Sequence, residues 1–417
     1  MFLKNSLSRR RTGAVLVKVA ICLPVLIGIL ALNLDGGRMY DERRRLQSTA
    51  DAAALAAGAD LYENYWDNKG KDVYGTARTA AEKIAVANGY PASAVTVNIP
   101  PQSGTYTGLP GHAEVLIDAT LQASFGRAIT GANMPVSARA VGKGEPLKFG
   151  IITLNPSMSG AFTNNALVFA LVGRPLIVNS SSPQALKSSS LVMLSLNRID
   201  VTGGVSNTGL LSLTMKVRTG VRPTLDPLAF LPIPDTASAP VRSPTPKVVN
   251  GLVATLQPGV YKGGIKIKGV STVVMAPGVY IMEGGGFQVE GLATVLGLGT
   301  MVYNTTSPTY ASGPIAVSGL GKVVMTAPLS GTYQGFNFFQ NRGLAQPISL
   351  TGLGLTTITG AIYARSAHVD LNGSVAIGLD ILGGAYVVDS LTSSGIGGVT
   401  IDLKENPPRV PDVRVVE

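Results

Sequence analysis

The chain has 417 residues, enough for two or three domains, and only 14% of them are charged where about 25% is usual, so disorder through excess charge is excluded. Its 50 glycines follow no Gly-X-Y period, aromatics are 6% and mean hydropathy is +0.29, which excludes collagen and favours short strands joined by many turns. The net charge of +10 is concentrated near one end, where nine basic residues face three acidic ones through residue 50, so no dense basic stripe and no nucleic-acid partner is expected.

Residues 1–36 read as a cytoplasmic tail and a transmembrane anchor. Ala14 to Leu34 is an apolar run interrupted only by Lys18, and at about 1.5 Å per residue it reaches roughly 31 Å, the thickness of a bilayer's hydrocarbon core. The bilayer is therefore an expected partner through residues 14–34. Lys18 sits near one end, where its stem can reach the headgroups, and Pro24 kinks such a helix without ending it. Lys4 and Arg9 to Arg11 favour a cytoplasmic N-terminus, against the opposing pull of Arg38 and Arg43 to Arg45. The competing readings are a buried core helix, a cleaved signal peptide and an amphipathic surface helix. Basic flanks and length oppose the first, the absence of a small-x-small site at Asp35 to Arg38 the second, and the all-round apolar face the third.

Residues 37–145 read as a helical stem with a small α+β domain. From Arg38 to Leu61 the helical period continues with Leu46, Ala50, Ala53 and Ala57 on one face, and the alanine-rich surface admits a second helix, Thr76 to Asn88, stopped by Gly89 and Pro91. Strands are expected at Ala94–Asn98, Ala113–Ile117 and Val136–Val141, with a short helix near Phe125 to Thr130.

The ordered set Arg9-Arg10-Arg11-Thr12-Gly13-Ala14-Val15, the apolar span with Pro24, Asp35-Gly36-Gly37-Arg38-Met39-Tyr40 and Arg45-Leu46-Gln47-Ser48-Thr49-Ala50-Asp51-Ala52 resembles the TadG-like (TadE/TadG) N-terminal region of Flp, or tight adherence, pilus-assembly proteins. The resemblance is strong over residues 9–60 and extends to about residue 143. It implies a bacterial inner-membrane protein, single-pass, with its bulk exported to the periplasm or cell surface and other tight adherence proteins as partners. Type IV pilins carry Glu five residues after the cleavage Gly; here Lys18 stands five after Gly13, so processing into a pilin subunit is not expected.

Residues 146–405 carry a repeat, apolar-x-apolar-x-Gly, beginning at Phe169, Ile199, Ile265, Phe287, Ile315, Ile348 and Val369. The starts are separated by 30, 66, 22, 28, 33 and 21 residues, which fits a unit near 22 with insertions. Such a unit is one coil of a parallel β-helix, three short strands with the apolar pair inward and glycine at the corner. The alternative, a β-sandwich, shares the alternation but not the near-constant unit. Leu225 to Val248, with Pro227, Pro232, Pro234, Pro240, Pro244 and Pro246, interrupts the ladder as a linker or an extended loop crossing the rod. The preceding domain, joined near Gly144 to Lys148, and the Pro-containing Glu405 to Pro411 are candidate end caps, and 406–417 is a tail. Leu256 to Gly264, Ala276 to Tyr280, Val178 to Ser181 and Gly360 to Ala364 resemble the β-helical region found behind TadG-like segments. The fold class expected is thus mainly β with an α-helical N-terminus: one transmembrane helix, a small α+β domain and a parallel β-helix.

Chemistry is sparse. Cys22 alone excludes an intramolecular disulfide, and one thiol with His112 and His368 cannot make a four-ligand zinc site. β-Helical polysaccharide lyases and hydrolases need clustered carboxylates; between Gly251 and Leu403 only Glu283, Glu290, Asp370, Asp380, Asp389 and Asp402 are acidic, and none adjoins another. Asp370 and Asp389, 19 residues apart, are a pair spaced to stack, although solvated surface carboxylates are the plainer reading, and His368 beside Asp370 reads as solvent-facing. There is no Gly-x-Ser-x-Gly elbow and no P-loop. No catalytic, cofactor or metal residue is assigned, and no enzyme is expected. The hydroxyl-rich stretches Ser180–Ser182, Ser188–Ser190, Asn304–Ser307 and Ser393–Ser394 suit weak contacts with surface glycans or proteins, or plain solvation, with Asn304 to Gly313, flanked by Tyr303 and containing Tyr310, as the first contact loop. The function expected is pilus assembly or surface attachment by binding and scaffolding; the alternatives are a polysaccharide-active enzyme and an envelope spacer unrelated to pili.

Overall fold

A straight run of residues with few helix breakers becomes one continuous helix, Thr12–Glu63, in which Pro24 is accommodated and the apolar stretch passes without interruption into the alanine-rich one. The computed structural model describes residues 12–122, 133–147, 150–172, 174–189, 192–195, 198–207, 216–352, 356–373, 380–383, 385–395, 399–402 and 408–417; the short helix expected near Phe125 to Thr130 lies outside them. From Leu16 onward the helix holds a window of mean hydropathy 2.3, none of it buried in the protein, which makes it a candidate membrane span. The chain divides into two units, Met1–Pro146 with Pro411–Glu417, and Leu147–Val410.

In the first unit the distal part of the long helix lies on a four-stranded antiparallel sheet, in the order Val95–Asn98, His112–Leu121, Met134–Pro146, Pro411–Val415. The sequence expectation of three strands is met, and residues 411–417, read as a tail, supply the fourth. Leu46, Ala50, Ala53, Ala54, Ala57 and Leu61 form the buried face, with Ala77, Ala81 and Ala85 of the second helix, Thr76–Ala87, beside them. Two glycines let the sheet approach the helix backbone: a Cβ on Gly142 would overlap the Ala54 carbonyl oxygen, and one on Gly144 would overlap that of Gly58. The start of the second helix is held by Asp72, whose carboxylate accepts from the Ala77 and Arg78 N–H groups at 3.2 and 3.0 Å.

The second unit is a parallel β-solenoid of three walls. Among the described residues, one wall is a nine-stranded sheet and the other two share a 19-stranded sheet, because Ala361–Gly373 and Tyr386–Ser394 each run through both. Alternation works as expected: Ile265, Phe287, Ile315, Ile348 and Val369 stand directly above one another in the second wall. Their spacings of 22, 28, 33 and 21 residues are therefore true coil lengths. The other two copies of the motif fall elsewhere, Ile199 on the first wall and Phe169 on the third, so the 30- and 66-residue intervals do not count coils.

Coil order departs from chain order. On the first wall the strands stack as Lys216–Thr219, Arg198–Val201, Leu176–Val178, Ile151–Thr153, then Tyr386–Ser394, Ala361–Gly373, Phe336–Gln340, Thr300–Thr305, Gly278–Glu283, Gly259–Lys262 and Val241–Ser243. The chain thus enters the ladder in its interior and coils to one end. It then crosses to the opposite end and coils back until its last full coil stacks on its first. The chain joins the ladder at Ile151–Thr153 and its last strand in it is Val399–Asp402, both in the interior of their walls.

The crossing segment is the proline-rich stretch. Residues 220–240 run along the outside of the first wall, a distance of roughly 48 Å at about 4.8 Å per rung, well within the reach of an extended chain. Residues 241–248, expected to belong to this loop, are instead part of the end coil, because Val241–Ser243 and Lys247–Asn250 pair with the coil beneath. The strap covers a second apolar cluster on the outer face of the wall, in which Leu228 is buried with Val260, Ile281, Met301, Tyr303, Phe336 and Phe339. Proline suits this route, since a strand outside the sheet has no ladder to donate to.

Candidate functional site

Two of the sequence candidates, His368 and Asp389, meet at one corner between the first and second walls. A register shift between Ala364 and His368 pushes the chain outward there. Half-buried His368 places Nδ1 2.9 Å from Ser390 Oγ, which lies 3.2 Å from Asp389 Oδ2, and Asn155 Nδ2 donates to both Asp389 oxygens at 3.1 Å. Asn155 in turn accepts from the N–H groups of Ser157 and Met158. Ser390 is only 1% exposed, so its hydroxyl serves this network and has no open approach for a substrate. Asp370 does not stack on Asp389; its register neighbours are Ser349 and Thr392, and its Oδ1 is buried without a hydrogen-bond partner. The side chains of Asp380 and Asp402 lie outside the described residues. Glu290 pairs with Lys266 at 2.9 Å on the second wall, and Glu283 is opposite Lys262 on the first. Among the described residues, no three His, Cys, Asp or Glu side chains gather as a metal site.

Beside this corner, the second wall presents an unbroken polar row. Ser349, Asp370, Thr392, Thr163 and Lys187 occupy consecutive rungs in register, and Thr351, Asn372 and Ser394 form a parallel row one step along the strands. The spacing is the rung spacing of about 4.8 Å. Thr163, Lys187, Ser349 and Asn372 were not singled out from sequence, because the row crosses from the last coil to the first, a juxtaposition that no repeat spacing encodes.

Several hydroxyl-rich stretches turn out to stitch the coils together. Ser180 is buried and donates to the Met158 carbonyl, Ser181 donates to that of Pro156, and Ser393 is buried inside the solenoid. Ser188 is buried too, Ser189 donates to Asn165 Oδ1, and Ser190 lies outside the described residues. The expected contact loop is likewise fastened inward: Asn304 is fully buried and donates to the carbonyl of Gly313 and to Gln340 Oε1, Tyr303 is buried beneath the strap, and Tyr310 donates to the Pro244 carbonyl.

The strap itself is fixed by a polar clamp. Arg342 donates from Nε to the Tyr363 hydroxyl at 2.9 Å and from Nη2 to the carbonyls of Leu228 and Leu231 at 3.0 and 2.6 Å, with its guanidinium over the rings of Phe339 and Tyr363. The Tyr363 hydroxyl donates to Asp226 at 2.8 Å. Burial, with Asp226 adding to it, pushes the Tyr363 pKa well above that of a free phenol. Further along the strap, Asn179 and Thr224 exchange two bonds, at 2.7 and 2.9 Å.

In the first unit the charged groups are structural as well. Glu114 is 1% exposed. Desolvation raises its pKa, but bonds from Ser103, Asn98, the Gln102 N–H and Arg139 outweigh that and bring it down to about 2. His112 is buried and stacked on Tyr106, with Nδ1 3.1 Å from the Pro110 carbonyl. A cavity of about 410 Å³ lies beside the helix where Arg44, Arg45, Ser48, Thr49, Asn88 and Tyr90 meet. Burial and a bond to Glu42 push the Tyr90 pKa up to about 12.

With the helix and its alanine face placed, the comparison with protein families becomes decisive for this region: residues 13–60 match the family model described as putative Flp pilus-assembly TadE/G-like. The helix is similar to a TadE/G-like domain over these residues. It spans the apolar run and the helical face that packs on the stem sheet, and it supports a role in Flp pilus assembly. No curated protein and no solved structure matches the chain.

Proposed function

We propose that the protein is a single-pass component of the bacterial inner membrane, N-terminus inside and bulk exported, that serves Flp pilus assembly or surface attachment by binding and scaffolding. The observation that carries this reading is the TadE/G-like helix, joined in one chain to a solenoid whose second wall displays a regular polar row. Hydroxyl, amide and single charged groups at a fixed spacing make many weak hydrogen bonds to a glycan or to a polar protein surface. The buried Ser390 and the separation of Asp370 from Asp389 in register favour binding over turnover.

The test replaces Thr163, Lys187, Asp370 and Thr392 with alanine in the full-length protein in cells. Loss of piliation or attachment at unchanged protein level supports the binding wall. Polysaccharide turnover by the wild type that disappears in Asp389→Ala would replace this reading with an enzymatic one. Protease accessibility in spheroplasts tests the orientation: a solenoid that stays protected alongside a cytoplasmic control defeats the exported topology.

A further inference from the structure

The third wall and the corner before it carry an exposed aliphatic face on the coils between Gly251 and Leu329. Val270, Leu292 and Leu320 each follow a glycine at the same corner of three successive coils, with the N–H of Leu292 bonded to the Gly269 carbonyl and that of Leu320 to the Gly291 carbonyl, and Leu252 occupies this corner of the end coil. Val274 and Leu296, in register, form a second row beside them. These six side chains are between 39% and 73% exposed. With Val253, Leu298 and Leu329 alongside, the face offers on the order of 500 Å² of apolar area, at roughly 90 Å² per aliphatic side chain and between 39% and 84% of each exposed. The largest apolar patch on a soluble monomer is about 300–600 Å² and is often functional, and this face falls in that class.

We infer that this face docks on the same face of a second copy of the chain. Two observations select that occupant. The first is area: a standard interface takes about 800 Å² from each partner, a little over half of it apolar, which is what this face supplies. The second is pitch. The aliphatic corners recur once per rung, about 4.8 Å apart, and a ladder of that period interdigitates along its length only with another of equal rise, displaced by half a rung. A second solenoid of the same sequence has that rise by construction, and an isologous arrangement lets each ladder serve as both ridge and groove. The margin carries both signs, Glu290 with Lys266 on the adjoining wall and Lys322 on this one, so like faces meet without a uniform repulsion. Tethering of every copy in one membrane raises the local concentration at which they meet.

The experiment uses full-length protein in detergent and in cells. In a Cys22→Ser background, Leu292→Cys is expected to give a disulfide-linked dimer under mild oxidation at least tenfold more efficiently than Asn165→Cys on the second wall. Val270→Lys with Leu292→Lys, which alters only exposed side chains, is expected to abolish the dimer in sedimentation velocity while leaving the melting temperature unchanged. A monomeric wild type, equal cross-linking at the two positions, a dimer that survives both lysines, or a Leu292→Cys product formed with a different protein would each overturn the inference. So would flotation with anionic vesicles that depends on Val270 and Leu292 in a protein that remains monomeric.

Discussion

The stem and the solenoid reach a stable sheet by opposite routes. In the stem, four antiparallel strands are covered by one helix, and the interface is built from alanine and glycine, so the backbones meet almost directly. In the solenoid, parallel strands enclose a core of Ile, Val, Leu and aromatic side chains, and each coil is covered by the next. The stem rests on one helix–sheet contact with no slack at Gly142 and Gly144; the solenoid has equally close backbone contacts at glycines such as Gly285 and Gly321, but repeats its core over many rungs. A methyl group added in the stem therefore strikes a contact that nothing else in that unit duplicates.

Gly144→Ala is the severest test of that contrast. A Cβ there collides with the Gly58 carbonyl, backbone against backbone, and the expected cost is about 3 kcal/mol or more. Calorimetry of the full-length protein should show the stem transition lowered and the solenoid transition unmoved; a joint shift would mean that the two units do not unfold separately.

Arg342→Ala should come next, because this one side chain holds the strap through two of its carbonyls. Removing the guanidinium leaves the carbonyls of Leu228 and Leu231 and the Tyr363 hydroxyl without their donor, an expected loss of about 2–3 kcal/mol. Limited proteolysis should then cut within residues 220–240 while the coils stay resistant.

The stem should also respond to acid through Glu114. Its folded pKa is depressed from the ordinary 4.5 to about 2, so its contribution is fully present above pH 4.5 and is lost as the pH falls towards 2. Glu114→Gln is expected to cost on the order of 2 kcal/mol near neutrality and to flatten the stem's acid dependence in that window, read from melting temperature against pH. At the small end, Lys266→Ala breaks a surface ion pair with both partners substantially exposed and should change solenoid stability by no more than about 0.5 kcal/mol.

The sequence carried the parts of this fold that depend on local pattern. Alternation with a terminal glycine identified the coils because each wall needs an inward apolar pair and a corner, and the copies beginning at Ile265, Phe287, Ile315, Ile348 and Val369 superpose as that logic requires. The same pattern serves all three walls, which is why Phe169 and Ile199 were placed in the wrong series. The permuted order of coils was not legible, because the contact between Tyr386 and Ile151 obeys the same pairing rules as any contact between consecutive coils. The polar row from Ser349 to Lys187 was hidden for the same reason. Serine and asparagine side chains such as Ser180 and Asn304 misled because composition does not distinguish a hydroxyl or amide that meets solvent from one that satisfies a buried carbonyl.

The strand Pro411–Val415 closes the stem sheet against Gly142 to Pro146, although the whole solenoid lies between them in the chain. During synthesis, then, the sheet lacks its outer strand until every coil has been translated. A nascent chain halted anywhere in the solenoid would hold the Met134–Pro146 strand by its inner neighbour alone, with the outer edge from Gly142 to Pro146 open until the last residues arrive.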